Sequence, residues 1–93
     1  MPEMYFHVTW PDGTAQSCYS PSLVIEDFLT PGRSYPVAEF VRLSDEALTI
    51  ASDRVRAKFG FACTSAAATR SAIADRARSH DGGEVTVVGF GRA

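Results

Sequence analysis

Apolar and polar residues alternate from Met4 to Trp10, a period of two written in strand-forming types. Pro11-Asp12-Gly13 follows, with proline fixing one φ and glycine free to take a left-handed one, and Thr14 to Tyr19 runs back. The pattern predicts a β-hairpin. If Gly13 forms the bulge of a three-residue loop, counting down the ladder sets Trp10 opposite Thr14, Phe6 opposite Cys18 and Tyr5 opposite Tyr19. Met4, Phe6, Val8, Trp10 and Cys18 then share the face expected to meet the core.

After Ser20 the period lengthens. Ser20 reads as an N-cap with Pro21 at the first helical position, and Val24, Ile25, Phe28 and Leu29 recur at helical spacing until Thr30-Pro31-Gly32. Pro36 opens a second stretch striped by Val37, Phe40 and Val41, and Ser44-Asp45-Glu46 reads either as a fresh cap or as a continuation. The stripe resumes at Leu48, Ala51, Val55 and Phe59, and Gly60 is placed for a left-handed stop. A third helix, Ala66 to Ser79 behind Thr64 or Ser65, has little beyond alanines and Ile73 for its buried face, so it is the weakest contributor to the core. Asp81-Gly82-Gly83 is a turn, and Glu84 to Phe90 a final strand. Together these predict an α+β fold in which an N-terminal hairpin, two to four helices and a C-terminal strand make a small three-stranded sheet with helices on one face. Open strand edges in such a sheet favour a homodimer.

Composition sets bounds on this picture. The chain has 93 residues, 45% of them hydrophobic and 11% aromatic, which is one domain over residues 1–93 and too apolar for disorder. It is too short for a Rossmann domain, a TIM barrel or a repeat array. Met1-Pro2-Glu3-Met4 has no basic or apolar leader character, and the two cysteines form no framework, so a soluble cytoplasmic protein with reduced thiols is expected. Net charge is −2, but residues 1–53 carry −6 and residues 54–80 carry +5. Within the second helical stretch the acids come first and the bases last, the order favoured by the helix dipole.

Candidate chemistry is sparse. His7 and Cys18 would form a nucleophilic pair only if the hairpin slipped by one residue, because the register above points them to opposite faces. Cys63, near a helix start and after Lys58, has the better surroundings for a lowered thiol pKa. His7, Cys18, Cys63 and His80 show no metal-ligand spacing, and His80 beside Asp81 reads as a solvated turn residue. Glu26-Asp27 and Asp45-Glu46 diverge on helices, and Gly89-Phe90-Gly91 is followed by no helix that could hold a phosphate. No cofactor or metal is therefore expected. Arg54, Lys58 and Arg56 flank a buried stripe on two sides rather than forming one basic ridge, which makes nucleic acid an unfavoured partner.

A set of stretches carries a resemblance: the start Met1-Pro2-Glu3-Met4, Trp10-Pro11-Asp12-Gly13, Cys18 to Ile25, Pro31-Gly32, Tyr35-Pro36, and Ala51 to Cys63. They are similar to a small bacterial family named for a nitrogen starvation response, encoded in gene clusters with a nitrilase. The likeness runs from residue 1 to about 66, and nothing beyond Ala66 is diagnostic of it. It implies growth on scarce nitrogen, with nitrile or cyanide assimilation as a setting, and brings no catalytic residues; the nitrilase Glu-Lys-Cys constellation is not visible here.

The expected function is a non-enzymatic accessory or regulatory protein that binds a protein partner or small ligand. Its expected surface combines Tyr19, Ser20 and Ser22, the loop with Arg33 and Tyr35, and the basic helix end with Arg54, Arg56, Lys58, Phe61 and Cys63. The alternative is a small cysteine-dependent enzyme or redox protein using Cys63 or Cys18.

Overall fold

The computed structural model describes residues 3–60 and 64–92. Strands β1 (Met4–Thr9) and β2 (Ala15–Ser20) form the hairpin in the expected register, with Phe6 opposite Cys18 and Tyr5 opposite Tyr19. The turn is held locally. Trp10 and Thr14 bond through N–H to carbonyl at 2.8 Å, Gly13 takes φ +88°, and the Asp12 carboxylate accepts from the Thr14 amide at 3.0 Å and its hydroxyl at 2.6 Å.

The sheet has four strands, not three. Ser34–Pro36, read from sequence as loop and helix opening, is β3, and it pairs antiparallel with β4 (Glu84–Arg92) to give the order β2-β1-β4-β3. A proline in β3 is tolerated because the strand lies at the sheet edge, where its missing N–H breaks no ladder bond. A bulge between β1 and β4 leaves Val88 without a direct partner, so Val87 faces inward while Gly89 and Gly91 lie opposite His7 and Tyr5.

The first expected helix is a single 3-10 stretch, Leu23–Asp27, and its cap is Ser22 rather than Ser20. Ser20 ends β2, buried, donating its hydroxyl to the Ser22 carbonyl at 2.7 Å. Helix α1 (Val37–Phe59) passes through Ser44 without a break: that hydroxyl is buried and donates to the Phe40 carbonyl at 2.8 Å instead of capping a new helix. Gly60, at φ +83°, closes α1 by donating its N–H to the Arg56 carbonyl. Phe59, assigned from sequence to the buried stripe, is 51% exposed. At 1.5 Å per residue the 23-residue α1 is about 34 Å long, against about 20 Å for the six-residue strands β1 and β2.

Both α1 and α2 (Thr64–Ala77) lie on the inner face of the sheet, over a core built on Trp10, Phe6, Phe40, Ile25, Leu29 and Leu48. The helix α2 contributes only Ala66, Thr69 and Ile73 to the interior. Among the described residues no helix is long and apolar enough to cross a membrane.

Candidate functional site

The structure divides the surface expected from sequence. At one corner, Arg54 reaches back from α1 to donate to the Ser22 hydroxyl at 3.3 Å, and that oxygen also accepts from the Val24 amide at 3.3 Å. Tyr19 alternates with the inward-facing Cys18 and Ser20, and its ring lies edge-on to Tyr5 at 5.9 Å. Arg56 and Lys58 continue up the exposed end of α1, where the Lys58 ammonium lies 5.7 Å from the Phe59 ring centroid. Arg33 and Tyr35 are elsewhere. They belong to the β3 edge, with the Tyr35 hydroxyl accepting from the Thr30 amide at 2.9 Å. About 23 Å along β4 and ~14 Å across three strand spacings separate the two corners. Phe61 and Cys63 lie outside the described residues.

The thiol of Cys18 is enclosed between β2 and the helix layer, and burial pushes its pKa up to about 12, with Arg76 only partly opposing. It is a protonated, shielded group at neutral pH. His7 is on the opposite face, as the register requires. Its Nδ1 is 2.8 Å from the Ser17 hydroxyl, and its Nε2 lies 3.1 Å from where a Cβ on Gly91 would stand. The ladder count that placed Cys18 against Phe6 also places Ser17 against His7, so this pair was within reach of the sequence. It sits on an open, solvated sheet face. Among the described residues no group of three His, Cys, Asp or Glu side chains could hold a metal.

A broad, open concavity lies at the other end, where α1 begins and α2 finishes. Its volume of about 680 Å³ lies between Pro36, Val37, Ala38 and Val41 of β3 and α1, Ala74, Ala77 and Arg78 at the end of α2, and the turn from His80 to Gly83. Its apolar lining follows from the alanines of α2, which cover the neighbouring helix without filling the space between. Gly83 holds the turn in place: φ is +88°, and a Cβ there would come within 2.8 Å of the Pro11 ring.

His80 corrects the sequence reading most. Instead of a solvated turn residue, it is stacked on Trp10, centroids 5.4 Å apart and planes 9° from parallel, with Nε2 buried and unbonded among the described residues. Trp10 is in turn edge-on to Phe40 at 5.6 Å and donates its indole N–H to Gln16 at 2.7 Å. The indole is thus one layer behind the cavity wall, with the imidazole between. The clue in the sequence was Trp10 itself, a large inward side chain at a strand end that needs a cover.

No curated protein and no solved structure matches the chain. A family model does, and it extends through α2 and β4, beyond the residue-66 limit of the resemblance seen in sequence. Described as nitrogen starvation-induced protein NitG, that model matches residues 5–90, and the chain belongs to this family.

Proposed function

We propose that this protein is a non-enzymatic accessory of the nitrogen-starvation response, acting by binding, with nitrile or cyanide assimilation as the setting and the cytoplasm as the compartment. The observation that carries the reading is the cavity between α1 and α2. Its volume is that of a small-molecule site, and its lining is mostly apolar with Arg78, His80 and Asp81 among it. The corner formed by Ser22 and Arg54, extended by Arg56 and Lys58, is the proposed contact for a protein partner, with Tyr19 a further proposed contributor; Leu23, 41% exposed, and Phe59, 51% exposed, supply apolar area. Ser20 is buried with its hydroxyl spent on the Ser22 carbonyl, so it shapes the corner rather than touching a partner, while Arg33, Tyr35, Phe61 and Cys63 remain proposed contributors. A homodimer is supported by β2, which among the described residues pairs only with β1 and so offers a free edge. The competing cysteine-dependent enzyme loses Cys18 to burial and rests on Cys63.

Trp10 is the only tryptophan, which makes its fluorescence a direct reporter of His80 and the cavity behind it. Titration with a neutral amphiphile such as 1-hexanol is expected to give a saturable change in that emission, absent in Ala77→Leu, where added side-chain volume fills the cavity. An emission that stays flat to millimolar probe, or the same response in the filled variant, would remove the cavity as the binding site.

A further inference from the structure

Resting on that reading of the cavity, we propose that its ligand is a monocarboxylate with a short apolar body. The ends of the two helices meet there with unequal hydrogen-bonding states. Helix α1 starts behind Pro36, which supplies no side-chain acceptor, and Glu39 is turned away to Arg42 at 2.6 Å. The Val37 amide is taken by the Gly83 carbonyl at 3.3 Å, but no side chain caps the amides of Ala38 and Glu39. At the end of α2 the carbonyls of Ala74, Arg76 and Ala77 already accept from Arg78, Ser79 and His80. The cavity end therefore offers unspent donors and a positive helix terminus, while three of the last four carbonyls of α2 are already taken.

One side chain points the same way. Arg78 lines the cavity and, among the described residues, is paired only with Asp75, in a bridge whose members are 72% and 69% exposed. Such a surface pair holds the guanidinium weakly, leaving its planar fork free to take a carboxylate through two N–H groups. His80 lines the same concavity with its imidazole stacked on Trp10, so a ligand seated there lies against the ring that covers the indole. Val37, Val41, Ala74 and Ala77 would enclose the apolar body. Asp81, in the same lining, opposes a second negative charge, so the fit is to a monoanion rather than a dicarboxylate or a phosphate ester.

The test compares hexanoate, 1-hexanol, hexylammonium and hexanedioate, read by Trp10 emission and by amide shifts of Ala38 and His80. Hexanoate is expected to bind about tenfold or more tighter than hexanol, the increment of one charge-assisted contact, and tighter than hexanedioate. In Arg78→Gln, hexanoate affinity should fall to near that of hexanol, with hexanol itself unmoved. Equal affinity for hexanoate and hexanol overturns the carboxylate while leaving the cavity as a binding site. Preference for hexylammonium overturns it in favour of Asp81 as the recognising group. Failure of every probe removes both readings. Should Ala77→Leu not fold, Ala38→Leu fills the space from an exposed position on α1, and hexanoate binding that survives there overturns the placement.

Discussion

The two helices cover the same face of one sheet by different means. In α1, Val37, Phe40, Leu48 and Val55 join Ala47 and Ala51 in a continuous buried stripe, while α2 buries only Ala66, Thr69 and Ile73. Large branched side chains close the interior against α1. Small ones on α2 bring the helices near each other without filling the gap, and the cavity opens where α2 runs out. Stability is thus concentrated on one helix and open space beside the other, a division of labour written in side-chain volume.

The largest expected effect tests that division directly. Truncating buried leucine or isoleucine to alanine costs about 2–5 kcal/mol, depending on how far the site collapses. Leu48→Ala should fall near the top of that range, since the side chain is wholly buried in the main cluster with Phe40 and Trp10. Ile73→Ala should fall near the bottom, because a small void between Val41, Ser44 and Ala74 already borders it and lets the helix settle. Denaturant unfolding of the two variants gives the order, and a cost for Ile73→Ala equal to that of Leu48→Ala would refute the division.

A second test asks how well α2 seals the sheet over β2. The Cys18 thiol ionises near its ordinary value of 9.0 in the unfolded chain but only at about 12 when folded. Between those values the unfolded state binds fewer protons, so stability falls as pH rises, by at most about 1.4 kcal/mol for each unit. Below pH 9 the thiol contributes no slope. Cys18→Ala should therefore flatten the alkaline arm of the stability curve relative to the parent, with every tyrosine and lysine common to both. Unchanged alkaline slopes would mean that α2 leaves the thiol wet.

How much of this could be read in advance follows the same line. The hairpin was legible down to its register because period two and Pro-Asp-Gly are local signals. β3 was not, since three residues ending in proline become a strand only by pairing with Thr86, Val85 and Glu84, fifty positions away. Ser44 looked like a cap because its hydroxyl could serve either role, and only the buried Phe40 beside it decides for the helix. At the candidate site, Ser22 and Arg54 were both chosen from sequence and do meet, but Arg33 and Tyr35 fall at the opposite corner. The cavity left no motif: it is space that alanines fail to fill, behind a histidine whose contact with Trp10 spans seventy residues.

The smallest effect concerns the one ion pair between the two helices among the described residues, Arg70 Nε to Asp45 at 2.6 Å, with side chains 41% and 50% exposed. Geometry this short would suggest a strong tie, but exposure decides otherwise: water screens the pair and holding two long side chains costs entropy, leaving about 0.2–1 kcal/mol. Asp45→Asn should cost no more than that, and the cost should vanish in high salt. If it were larger and insensitive to salt, α2 would be fastened to α1 by charge rather than resting on it through its alanines. The open space at its end would then be held apart by that tie instead of by the lack of side-chain volume.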